Sequence, residues 1–148
     1  MQDGIIYRLN RVPDVPVKYP YIVVSGDNDR NNSRVDLVTI NNFGRVKEHL
    51  RKKGKKRIGF EVMISTARRM DGSKVAKWLE DVRELHSLCH SSGLQFVLSS
   101  GSKSLYEMVS GPCFDAILKN CDIEPKRHWD QMNEWLDERL SREVLAQR

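Results

Sequence analysis

Three groups of residues in this sequence have types and spacings that could do chemistry. The densest is Arg51-Lys52-Lys53-Gly54-Lys55-Lys56-Arg57, with six cations in seven positions. Such a run neutralises phosphates and releases condensed counterions, which gives salt-sensitive and largely sequence-independent binding to a polyanion. The second group is Ser99-Ser100-Gly101, small hydroxylated residues that end the apolar run Phe96 to Leu98. If that run is a parallel strand, its carboxyl end is where α/β proteins place function. The third group is a scatter of metal-ligand types: Asp36, Glu61 and His86-Ser-Leu-Cys89-His90. Two His four apart share a helix face and hold Zn²⁺ when further ligands arrive. Here no Glu follows the first His and Cys89 falls on an apolar stripe, so a surface His pair near a helix C-terminus is the ordinary reading. Asp36 and Glu61 have no H-x-H or D-x-D neighbour. Phosphodiester cleavage by a protein usually needs clustered carboxylates and His around metal ions, so these two acids are expected to make structural hydrogen bonds at a strand-end rim.

The elements that must position these groups follow from period and punctuation. Gly4 to Leu9 reads as a short strand, and the prolines at 13, 16 and 20 make residues 11–20 an extended connector. Tyr21 to Ser25 and Val35 to Ile40 are apolar, β-rich runs separated by the turn formers of residues 26–33. Phe43, Val46 and Leu50 recur at helical spacing and Gly54 follows as a C-terminal cap, so residues 44–53 are a predicted helix that ends in the cations. Ile58 to Ile64 is a fourth strand. Asp71 or Ser73 opens the longest helix, whose apolar face is Val75, Leu79, Val82, Leu85 and Cys89 with Trp78 on the shoulder, and Gly93 ends it. Gln95 to Ser99 is a fifth strand and Ala116 to Leu118 a sixth. Pro125 opens a final helix with the stripe Trp129, Met132, Leu136, Leu140 and Val144.

Strands alternating with helices call for parallel βα units. The expected fold is therefore α/β: one domain over residues 1–148, with TIM-barrel-like parallel strands in a shortened barrel of about six. A complete barrel needs roughly 200 residues or more. Residues 1–20 supply a strand and the proline-rich connector.

Composition narrows the classes further. The chain has 148 residues and a net charge of +5, of which residues 45–57 alone carry +7, leaving −2 for the rest. All the excess positive charge is thus local, as an electrostatic footprint for a polyanion would be. Three cysteines without C-x-x-C spacing are expected as reduced thiols. No signal peptide or long apolar span is visible, so a cytoplasmic protein without a membrane segment is expected.

The succession Ser33-Arg-Val-Asp36-Leu-Val, Ile58-Gly-Phe-Glu61-Val-Met-Ile, Phe96-Val-Leu-Ser99-Ser100-Gly101 and Gly111-Pro-Cys-Phe-Asp-Ala-Ile-Leu118 resembles ribonuclease P protein component three, the archaeal relative of the thirty-kilodalton eukaryotic subunit. The resemblance covers about residues 19–140 and lies in the order of the motifs. Two departures stand out: the family has a longer amino-terminal portion, and its Arg before Gly-Pro is Ser110 here.

The resemblance implies a role in removing tRNA 5′ leaders. The RNA subunit would hydrolyse the phosphodiester with Mg²⁺, and this chain would carry no catalytic residue and no cofactor of its own. Its partners would be the ribonuclease P RNA, precursor tRNA and the ferredoxin-like component two. A missing barrel wall leaves strand edges that invite a protein neighbour or self-association. The residues expected to touch RNA are Arg51, Lys52, Lys53, Lys55, Lys56 and Arg57, followed by Arg68, Arg69 and Lys103. Asp36, Glu61, Ser99, Ser100 and Gly101 are expected at the strand-end rim. Two other classes stay open: a small TIM-barrel-like metal-dependent phosphoesterase, in which Asp36, Glu61 and a His converge, and a protein-interaction module whose basic run binds an acidic partner.

Overall fold

A computed structural model of the chain describes residues 5–8, 21–26, 35–50 and 58–145. The architecture is mixed α/β. Five strands, β1 (Ile5–Arg8), β2 (Tyr21–Gly26), β3 (Leu37–Thr39), β4 (Gly59–Met63) and β5 (Gln95–Ser99), pair in chain order, all parallel. The helices are α1 (Phe43–Leu50), α2 (Ile64–Ala67), α3 (Gly72–Ser92), α4 (Gly111–Asn120) and α5 (Pro125–Leu145), with a 3₁₀ turn at Leu105–Glu107. No described helix is long and apolar enough to cross a membrane.

The register sorts side chains onto two faces. Leu37, Gly59 and Gln95 are aligned, as are Thr39, Glu61 and Val97. Alternation along the strands then separates two cores. One holds Val38, Phe60, Val62, Phe96 and Leu98 with Val46 of α1, Trp78, Val82, Leu85 and Cys89 of α3, and Leu118 of α4. The other holds Ile22, Val24, Leu37 and Val97 with Trp135 and Leu140 of α5. Parallel strands covered on both faces read as continuous apolar runs, as these do.

The long helix α3 is fixed at both ends by its own sequence. The Asp71 carboxylate accepts from the Lys74 backbone N at 3.0 Å and from Ser73 Oγ at 2.8 Å, which holds its pKa below the usual value. At the other end Gly93 adopts a left-handed φ of 69°, and the Leu94 N–H donates back to Cys89 O at 2.9 Å. Trp78 is buried in the core and not on a shoulder, at 4% exposure.

Two expectations are corrected here. Ala116 to Leu118 is not a sixth strand but the middle of α4. Phe114, Ile117, Leu118 and Cys121 lie at helical spacing and bury one face against the first core, and Pro112 in the first turn needs no amide partner. Second, the buried face of α5 runs through His128, Trp135, Arg139 and Leu140, with Trp129, Met132 and Leu136 half-buried beside it. Arg139 reaches Asp36 at 3.0 Å and stacks 5.5 Å from the Trp135 ring, so a cation is carried into the core by its partner.

Candidate nucleic-acid interface

The carboxyl ends of the strands form a polar rim. Beyond β3, Asn41 and Asn42 are exposed, and Asn42 Oδ1 accepts from the Gly44 N–H at 3.0 Å to start α1. β4 runs straight into α2, and the Ser65 N–H donates to Ser100 O at 3.0 Å, tying this end of β4 to the loop after β5. Ser100 Oγ and Ser102 Oγ lie 3.0 Å apart. Gly101 has φ +61°, and a Cβ there would sit 2.8 Å from Met63 Cβ, so both backbone and space require glycine. Ser99, Ser100 and Gly101 therefore lie where a strand-end rim puts them.

Arg68 and Arg69 follow α2 and are exposed, as is Lys103. The Arg68 guanidinium donates to the Glu107 carbonyl, and the Glu107 carboxylate accepts from the Lys103 N–H at 2.8 Å. These three cations from two separate loops thus share one locality. Leu105, Tyr106 and Met108 on the same loop project into solvent. Sequence reasoning missed them; the available sign was an aromatic within a Ser-rich segment.

Asp36 and Glu61 are not on this rim. Asp36 precedes β3 at its amino end, and its backbone O accepts from Gly59 N at 2.8 Å. Glu61 is the central residue of β4, 2% exposed, and accepts from Thr39 Oγ1 at 2.6 Å. Both acids make structural hydrogen bonds, but inside the fold. Glu61 faces the α5 side, because it shares strand parity with Gly59, which abuts Trp135. Among the described residues Asp36, Glu61 and a His do not converge, and no three His, Cys, Asp or Glu side chains come together in a metal-holding group.

The primary RNA candidates Arg51, Lys52, Lys53, Lys55, Lys56 and Arg57 lie outside the described residues. Their flanks are placed: Leu50 ends α1, and Ile58 precedes β4 with its carbonyl accepting from Gln95 N at 3.2 Å. That anchor is at the amino end of β4, whereas Arg68, Arg69 and Lys103 lie beyond the carboxyl ends. The length of a five-residue strand, roughly 17 Å, separates the two.

Near Ile58 a cleft of about 240 Å³ opens between α3, β5 and α5, lined by His86, His90, Gln95, Phe96, His128 and Gln131 among others. Burial pushes the Cys89 thiol up to about 12, so it is a neutral apolar group and not a thiolate ligand. Burial, then the His90 and Arg127 charges, lower the His86 pKa. His128 packs 5.7 Å from Phe96 and 5.1 Å from Trp129, and its Nε2 has no hydrogen-bond partner among the described residues.

Burial, with a smaller contribution from His86, pushes His128 down to about 4. Between about pH 4 and the unfolded value near 6.5 the unfolded chain binds a proton that the folded chain refuses. Stability is therefore intact above about pH 6.5 and falls as pH drops toward 4, by about 3 kcal/mol in all. Urea denaturation of wild type and His128→Phe across this range checks it: the variant should show a flatter dependence, and parallel curves would show that His128 is not the source.

Comparison with protein-family profiles, with curated proteins and with solved structures returned no match.

Proposed function

We propose that this chain is a non-catalytic protein subunit of ribonuclease P, which binds and stabilises the catalytic RNA for removal of tRNA 5′ leaders. The observation that carries this reading is the ordered succession of motifs. The Val35-Asp36 segment leads into β3, Phe60-Glu61 lies in β4, and Ser99-Ser100-Gly101 ends β5, on adjacent parallel strands. The order of the strands supports a finer reading of the fold as a shortened barrel wall. All five are parallel and sequential, α1 and α3 pack on one face, and the face that a full barrel would turn inward is covered by α5.

The chemistry agrees with delegation of hydrolysis to RNA. Asp36, just before β3, and Glu61, within β4, are engaged in structural hydrogen bonds, while the charge excess is concentrated in residues 45–57. Phosphate neutralisation by Arg51–Arg57 would supply affinity, and Arg adds bidentate phosphate contacts. The RNA's Mg²⁺ would activate water; this chain would hold the RNA in shape, alongside a ferredoxin-like component two.

The test has two arms. Lys52, Lys53, Lys55 and Lys56 changed together to Ala should weaken RNA binding and make the slope of log affinity against log salt shallower by about three. An unchanged slope removes the basic run from the interface. In the second arm the chain is added to a minimal ribonuclease P RNA with component two at low Mg²⁺. Faster cleavage of precursor tRNA is expected, and no stimulation would sink the assignment.

A further inference from the structure

The loop from Lys103 to Met108 is held in place with its apolar side chains in water. Glu107 is anchored through its carbonyl by the Arg68 guanidinium, through its carboxylate by the Lys103 N–H at 2.8 Å, and through its N–H to Ser104 O at 3.1 Å. Met108 N donates to Leu105 O at 3.3 Å, closing the turn. Leu105 is 83% exposed, Tyr106 101% and Met108 63%. Clusters of large apolar side chains in solvent mark contact surfaces.

The surroundings decide the chemistry of what is contacted. Arg68 reaches the turn through the Glu107 carbonyl, exposed Arg69 follows it in the chain, exposed Lys103 begins the loop, and the loop's carboxylate, Glu107, is already engaged. Cations around a bare aromatic ring are the arrangement that binds single-stranded nucleic acid: phosphates take the cations, and a base stacks on the π face. The Tyr106 ring is bare on both faces, and Leu105 and Met108 offer apolar support to a ribose or base edge.

We infer that Tyr106, flanked by Arg68, Arg69 and Lys103, is a stacking platform for an unpaired nucleotide of single-stranded RNA. The inference rests on the RNA-binding reading above and adds a contact beyond the carboxyl end of β4, at residues separate from the basic run. A duplex, whose bases already stack on one another, offers no base to this ring.

The full chain is titrated with a fluorescently labelled oligouridylate and with an RNA duplex of the same length. Tyr106→Ala should weaken oligouridylate binding roughly tenfold with the salt slope unchanged, while Tyr106→Phe retains wild-type affinity. Lys103→Ala or Arg69→Ala should also weaken it, with a slope shallower by about one. Duplex binding should be the same in wild type and Tyr106→Ala. Because Tyr106 touches solvent on all sides, none of these changes threatens folding. Equal oligouridylate affinity in wild type and Tyr106→Ala overturns the platform. If that equality accompanies a loss in the Lys52, Lys53, Lys55 and Lys56 variant, the platform fails and RNA binding stands. If wild type binds no oligouridylate at any salt concentration, both fail. Self-association abolished by Tyr106→Ala with RNA binding unchanged would identify a protein contact instead, and likewise overturns the proposal.

Discussion

Replacing Trp135 with alanine is expected to lower the free energy of unfolding by about 3–5 kcal/mol, a large share of the roughly 5–15 kcal/mol that a small domain possesses. Trp135 is 1% exposed and packs with Ile22, Val24, Leu37, Val97 and Leu140, so its removal opens a cavity between α5 and three strands. The indole lies over the start of β4. A Cβ on Gly59 would sit 2.9 Å from Trp135 Cζ2 and 2.6 Å from Leu37 Cδ1. Gly59 is small because the ring occupies the place of its side chain. Gly59→Ala alone should therefore cost about 1–3 kcal/mol by overpacking. In the Trp135→Ala background that cost should fall, because the ring contact is gone and Leu37 Cδ1, the nearer atom, can shift into the cavity. Urea denaturation of the four proteins measures the coupling. Additive costs would show that the ring and the glycine do not share this space. The contact clamps α5 onto the amino end of β4, next to Ile58.

This pairing was invisible in the sequence, and the reason is physical. Period and caps locate an element, but they do not say which residue of a stripe meets a neighbour. Helix α3 was legible in extent, its start narrowed to Asp71 or Ser73, because its signals are local: a carboxylate to cap one end, a left-handed glycine at the other and an apolar repeat between. β5 was equally legible, as an apolar run closed by Ser and Gly. Helix α4 was misread because three apolar residues in a row fit either a strand or a buried helical turn. The arbitrating sign lay outside the run, in Phe114 and Cys121 at helical spacing and in Pro112, which opens a helix as readily as it makes a turn. On α5 the rule that polar types face water failed at His128 and Arg139. The first is buried among aromatic rings and the second is brought inside by its carboxylate partner.

The candidate site was legible to the same limited degree. Ser99-Ser100-Gly101 announced a strand end through residue size and chain flexibility, which are local properties. Asp36 and Glu61 announced only that two acids sat among apolar residues. Their depth depends on partners distant in sequence, 22 residues away for Glu61 and 103 for Asp36. Tyr106 escaped notice because exposure is a property of the folded loop, set by the Arg68 and Lys103 contacts to Glu107.

Asp36→Ala is expected to cost about 3 kcal/mol or more. The Arg139 side chain is 4% exposed and the Asp36 side chain 16%, with 3.0 Å between Nη1 and Oδ1. Taking away the carboxylate strips a buried guanidinium of a charged partner, and that loss is larger than the net worth of the pair. Arg139→Met should cost less, about 1–2 kcal/mol, because the straight apolar chain still packs near Trp135 and the remaining carboxylate can be hydrated. The double variant Asp36→Ala with Arg139→Met should be more stable than the sum of the single losses, since no uncompensated charge remains inside. Additive single costs in denaturation would show that the two side chains do not act as a pair. The same variants separate structure from chemistry in the Val-Asp motif on which the ribonuclease P reading partly rests. If Asp36 serves by joining β3 to α5, then Asp36→Ala, assayed well below its melting temperature, should bind RNA with wild-type affinity and wild-type salt slope. Weakened RNA binding by the folded variant would instead place this carboxylate in the interface, and would require the amino ends of the strands, not the Ser-Ser-Gly rim, to face the RNA.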